Sequence, residues 1–204
     1  AGVRFDAIEA LGCVGGEQAL SLLEKVLADQ TDQNALDRQY AVRALESVGG
    51  EKALALLEKA LADQDARMRQ DAVRTLGRVG GDKALALIAK ALGDQDANVR
   101  GVAGEALGWM GGEKALALLE KALADQDAGM RKDAARALGS VGGDKALALI
   151  EKALGDQDAT VRGAAAMTLG EVGGEKTLTL IEKALGDQDA TVRGIAAAAI
   201  TLGE

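Results

Sequence analysis

Residues 156–186 read D-Q-D-A-T-V-R-G-A-A-A-M-T-L-G-E-V-G-G-E-K-T-L-T-L-I-E-K-A-L-G, and close copies of this stretch fill almost all of the 204-residue chain. Glycine pairs mark the copies, at Gly15-Gly16, Gly49-Gly50, Gly80-Gly81, Gly111-Gly112, Gly142-Gly143 and Gly173-Gly174, with a first spacing of 34 and then a constant 31. A fixed period of this size signals stacked repeats that bury their apolar faces against one another rather than in one central core. The repeats are expected at about 1–28, 29–62, 63–93, 94–124, 125–155 and 156–186, with a half repeat at 187–204, all within a single repeat domain. The three extra residues fall in the polar stretch Asp29–Asp37, which is expected to form a longer loop.

Each copy holds two helical segments, Ala159–Val172 and Glu175–Leu185 in the quoted one. Asp158 precedes the first as an N-cap, and Asp65, Asp96, Asp127 and Asp189 stand at the same place elsewhere. The first glycine of the pair is expected to close that helix in the left-handed conformation, with an acid opening the next one. Counting starts gives six helical hairpins and a final lone helix, Thr191–Leu202: thirteen helices, hence an all-α solenoid. The first residue is Ala1 and the last copy stops half-way, which suggests a processed or trimmed product. The apolar strip Ile195, Ala196, Ala199, Ile200 and Leu202 then lacks a covering helix, so end-to-end self-association through the C-terminal helix is expected.

Composition supports helices and narrows function. There is no proline, and Phe5, Tyr40 and Trp109 are the only aromatics, so the core must be Ala, Leu, Val and Ile. A net charge of −8 disfavours phosphate backbones and anionic membranes. Without histidine, and with Cys13 alone, the chain has no internal disulfide and lacks the usual zinc ligands; a cytoplasmic location is the expectation. No apolar run is long enough for a membrane span.

The pattern D-x-D-x-x-V-R-x-x-A-A-x-x-L-G-x-V-G-G-[ED]-K-A-L-x-L-[LI]-x-K-A-L resembles the short HEAT-like repeats of phycobilisome lyase subunits and the engineered scaffolds derived from them. The resemblance implies a superhelix whose concave side is lined by the first helix of each hairpin. It also implies that the recurring arginines (Arg69, Arg100, Arg131, Arg162, Arg193) belong with the preceding Asp to a hydrogen-bond ladder between repeats. Where that family commonly carries proline after the second Asp, this chain has Ala66, Ala97, Ala128, Ala159 and Ala190.

Comparison between copies separates framework from free positions. The second helices barely vary, and their alternating Glu and Lys read as a solvated outer face. On the first helices, counting from the recurring arginine, offsets −2, +1, +2, +5 and +9 fall on one arc, opposite the apolar stripe. That arc varies from copy to copy and carries all three aromatics. The reading is a non-enzymatic scaffold with no catalytic, cofactor or metal residues. It would bind a protein or peptide, acidic in character, through Tyr40, Arg43, Arg74, Arg78, Trp109, Lys132 and Arg136. The alternative is a bilin lyase-like or chaperone-like subunit cradling a tetrapyrrole or its carrier protein. A DNA-binding HEAT enzyme, favoured by Trp109 and Arg74/Arg78, is opposed by the charge. Cys13 on the same arc has no neighbouring base in sequence to activate it.

Overall fold

In five of the repeats a pair of acids starts the first helix. Asp65 caps one by accepting a hydrogen bond from the Arg67 N–H at 2.9 Å, while Asp63 holds the Asp65 N–H at 2.9 Å. Asp96, Asp127, Asp158 and Asp189 cap their helices in the same way. The computed structural model describes residues 2–29 and 35–202, with side chains described for 6–29 and 35–201. Among them are thirteen helices and no strand.

The first helices are α1 (Gly2–Val14), α3 (Ala35–Val48), α5 (Ala66–Val79), α7 (Ala97–Met110), α9 (Ala128–Val141), α11 (Ala159–Val172) and α13 (Ala190–Leu202). The second helices are α2 (Gly16–Ala28), α4 (Gly50–Ala60), α6 (Gly81–Ala91), α8 (Gly112–Ala122), α10 (Gly143–Ala153) and α12 (Glu175–Leu185). Of the expected long loop, residues 30–34 lie outside the described residues, and Ala35–Asp37 already belong to α3.

The turn inside each hairpin is sharper than a left-handed cap. Gly80 has φ 70° and ψ −172°, a combination open essentially to glycine alone, and Gly81 follows at φ 82°. Both glycines of every pair have positive φ, so the pair is a backbone requirement.

The chain divides into two compact bodies, 1–106 and 107–204, with the division inside α7. Within each body the apolar stripes meet between first and second helices: Leu45, Leu57, Leu76 and Ile88 in one, Leu119, Leu138, Ile150 and Leu169 in the other, are fully buried. Each contributes about 2–3 kcal/mol. Within each body, first helices touch neighbouring first helices more extensively than second helices touch second helices. Small residues permit that approach; a Cβ on Gly12 would lie 3.1 Å from the Ala44 carbonyl oxygen.

Polar contacts lock successive repeats. The guanidinium of Arg69 donates from Nε and Nη2 to the two oxygens of Asp94, at 2.8 Å each, and from Nη1 to the carbonyls of Asp63 and Gln64. Arg131 with Asp156 and Arg162 with Asp187 repeat this geometry, all three arginines being buried. The ladder therefore does not use the helix-capping Asp four residues earlier; each arginine reaches the first Asp of the following repeat, 25 residues on. Hydrogen bonds from Arg131 and Arg162 hold the Asp156 and Asp187 carboxyls below their ordinary range, against the opposing effect of burial. Burial pushes Asp94 up, but Arg69 and the Asp96 N–H together outweigh it, and its net shift is also downward.

A second ladder covers the outer face. Lys59 donates to Glu24, Lys90 to Glu58, Lys145 to Glu113 and Lys176 to Asp144, each lysine reaching back to an acid of the preceding repeat. The alternating charges of the second helices are thus paired across repeats as well as solvated. On α13, Ala196 and Ala199 are buried against its neighbours, contrary to the expectation that they lack cover, because α11 and α12 both pack on this helix. Ile195 and Ile200 remain half-exposed, and the Leu202 side chain lies outside the described residues. No helix among the described residues is long and apolar enough to cross a membrane.

Candidate functional site

The variable arc of the first helices resolves into two strips. Offsets −2, +5 and +9 face solvent, as Arg67, Arg78, Arg136 and Trp109 show. Offset +2 points into the seam between neighbouring first helices, so Asp71, Val102 and Ala164 are buried and Tyr40 is half-buried. Variation at that offset is packing variation, which comparison of copies by itself does not separate from surface variation.

In the first body, Tyr40 and Arg43 on α3 face Arg74 and Arg78 on α5. The Arg43 guanidinium sits 5.9 Å from the centroid of the Tyr40 ring. Its Nη2 donates to Asp71 Oδ1 at 3.4 Å, and Arg74 Nη1 lies 3.5 Å from the same oxygen. Arg78 Nη1 donates to Glu46 at 3.3 Å. The basic excess expected here is therefore reduced by two acids of the same surface. Between α1 and α3 a groove of about 330 Å³ is lined by Glu9, Gly12, Cys13, Tyr40, Arg43, Ala44 and Ser47. Its floor is the Gly12–Ala44 contact, and Cys13 is an exposed thiol on its wall. The Phe5 side chain lies outside the described residues.

The second body carries the other three candidates. Trp109, near the end of α7, is 55% exposed. Ser140 of α9 packs against the preceding residue, Gly108, where an added Cβ would be 3.1 Å from the Ser140 Cβ. Lys132 is half-buried with its ammonium 4.0 Å from Asp133, and Arg136 is exposed and forms no ion pair among the described residues. Met167 on α11 is 37% exposed at the same offset as Arg136. Met167 is not among the candidates of the sequence reading, and its exposure is a feature of the folded surface.

The arrangement offers aromatic and sulfur surface, guanidinium donors and hydroxyls on rigid helices.

The HEAT repeats family matches the chain over residues 30–93, 63–139 and 121–201. No curated protein matches it. Among solved structures, the Escherichia coli protein YibA aligns with a TM-score of 0.57 at 19% identity, covering 97% of this chain and 72% of that one. The complex of CpcE and CpcF of phycocyanin lyase from Nostoc sp. PCC7120 aligns with a TM-score of 0.51 at 23% identity, covering 98% and 89%. A designed armadillo repeat protein in complex with the peptide (KR)4 aligns at 0.50 and 20% identity, covering 91% and 99%. Likeness at such identities speaks for the helical-repeat fold alone. With the family match extending over most of its length, and an all-α solenoid repeat architecture beneath it, the chain belongs to the HEAT-repeat family.

Proposed function

We propose that this chain is a non-enzymatic scaffold that binds a protein or peptide segment on the face of its first helices. The observation that carries the reading is Trp109: the only tryptophan of the chain stands 55% exposed on a face that also carries Arg136, which has no ion pair among the described residues. Tryptophan and arginine are among the residues most enriched at binding hot spots, and here both are held in water on rigid helices. The opposite face supports the choice by contrast, because Lys59, Lys90, Lys145 and Lys176 there are engaged with acids of neighbouring repeats. Tyr40, Arg43, Arg74 and Arg78 in the first body, and Lys132 in the second, are the further contact residues of this reading. A peptide occupies the designed armadillo repeat protein of similar fold, which gives the reading a physical precedent.

The test uses peptides selected on the whole chain from a random library. Trp109 fluorescence should change on binding, and Trp109→Ala should weaken it by about 2 kcal/mol while leaving the helical circular dichroism unchanged. Binders that leave the Trp109 signal untouched and tolerate both Trp109→Ala and Arg136→Glu would remove the second-body face from the reading. Failure to select any binder would remove the reading itself.

A further inference from the structure

From the convergence of Arg43 and Arg74 on one oxygen of Asp71, we infer that the first body recognises an acidic side chain of its partner, held between these two guanidiniums. This rests on the reading of the first-helix face as a peptide-binding surface, and it names the chemistry of that surface.

Three observations support it. First, Arg43 Nη2 and Arg74 Nη1 lie 3.4 and 3.5 Å from the same atom, Asp71 Oδ1, so these nitrogens are within about 7 Å of each other, a gap one carboxylate can bridge. Second, two guanidiniums share one carboxylate, and Asp71 is nearly closed to solvent at 7% side-chain exposure, whereas Arg43 and Arg74 are 53% and 39% exposed. Asp71 thus engages one nitrogen of each guanidinium, and both arginine side chains stay partly open to solvent. Both contacts are long for charge-assisted hydrogen bonds, so a second oxyanion competes for donors that Asp71 uses poorly. The same arc of the first body also carries Glu9 on the wall of the α1–α3 groove, Arg67 on α5, Glu105 at the equivalent offset of α7, and the Arg78–Glu46 pair, which neutralises itself.

Third, the arginine pair adjoins a cavity. Arg43 belongs both to the pair and to the 330 Å³ groove, whose Tyr40 ring, Gly12 and Ala44 form an apolar floor. The groove lies between α1 and α3, and the arginine pair between α3 and α5. These seams are one helix spacing apart, about 8–10 Å. A peptide in the polyproline II conformation has three residues per turn and rises about 3.1 Å per residue, so side chains three positions apart share one face and lie about 9 Å apart. The occupant is therefore a peptide in that conformation with an Asp or Glu three positions from a bulky apolar side chain: the acid on Arg43 and Arg74, the apolar group over Tyr40.

The experiment pans a random twelve-residue peptide library on the whole chain, then titrates chemically synthesised binders against protein carrying 3-fluorotyrosine, which places a single fluorine probe at Tyr40. Expected are an acid and an apolar residue three apart in the selected sequences, a shift of the Tyr40 resonance on binding, and loss of the shift when the acid becomes an amide. Arg43→Gln should weaken binding at least tenfold. So should Arg74→Lys, which keeps charge but not the fork. Asp71→Asn, which releases both forks, should strengthen binding several-fold, an effect no purely structural role predicts. Since Asp71 is buried, its variant is scored only where the circular dichroism is native; Arg43→Gln and Arg74→Lys decide the matter otherwise. Binders that leave Tyr40 silent and tolerate both arginine variants would overturn the inference while leaving peptide binding in place. If no binder is recovered, both fall.

Discussion

Gly163 and Gly170 lie two turns apart on α11, both facing α13, yet replacing each by alanine should move stability in opposite directions. Alanine gains about 1 kcal/mol over glycine inside a helix at either position. At Gly170 the new methyl carbon would lie 2.7 Å from the Ala199 Cβ and 2.9 Å from both the Ala199 Cα and its carbonyl oxygen. Carbon atoms in contact prefer about 3.5–4.0 Å, so α13 must retreat by roughly 1 Å, and backbone atoms have no rotamer through which to escape. Overpacking of this kind costs about 1–3 kcal/mol, and a clash with main chain belongs at the upper end. Gly170→Ala is thus expected to destabilise by about 2 kcal/mol net. At Gly163 the sole obstacle is the Ile195 Cδ1 at 2.9 Å, the tip of a half-exposed side chain with two torsions. Turning it aside costs about 0.5 kcal/mol, leaving Gly163→Ala stabilising by about the same amount. Urea unfolding followed by far-UV circular dichroism measures both. Shifts of the same sign, or a neutral Gly170→Ala, would refute the close packing of α11 on α13.

Further outcomes follow from the ladder and the turns. Asp156→Ala strands the buried Arg131 guanidinium and should cost about 3 kcal/mol; Arg131→Met added to it should recover at least half, and a strictly additive double variant would contradict the pairing. Gly80→Ala meets no atom within 4 Å, yet should cost about 2–3 kcal/mol from its φ of 70° and ψ of −172° alone; thermal melts that leave the midpoint unchanged would show the turn to be ordinary. Because Asp94, Asp156 and Asp187 are held below their unfolded values, their contribution is complete above about pH 4 and is lost as pH falls through the lowered folded values. The melting midpoint should therefore be flat near neutrality and drop in acid, with a shallower drop in Asp156→Asn; a drop already complete by about pH 5 would point to other groups.

Much of the fold is legible because its causes are local. The N-cap acids, the glycine pairs and the apolar stripe act within a few residues of themselves, so their positions in the sequence locate α11 and α12 to the residue. What the sequence hides is partnership at a distance. The arginine of one repeat has an acid four residues before it and another 25 residues after it, and only the packed structure shows that it reaches for the second. The outer lysines are hidden in the same way, since Lys90 pairs with Glu58 of the preceding repeat rather than with a neighbour on its own helix. At the candidate site Trp109 and Arg136 are exposed as their helical offsets imply. Asp71 is not, because the close packing of α3 on α5 shuts the seam over it, and from that closure comes the shared oxygen that Arg43 and Arg74 both seek.

The contacts that join repeats close over short loops of chain, 25 residues along the inner ladder and 32 to 35 along the outer one. No segment of either body has to await a distant portion of the polypeptide before it becomes ordered. Such an object acquires structure as a zipper does, tooth by tooth from whichever repeat forms first, and contact orders this low go with rapid folding. The same geometry makes loss of structure progressive. A lesion at one rung weakens the repeats on either side of it and is scarcely felt three repeats away, so an altered surface for a new partner can be installed on one first helix without renegotiating the rest.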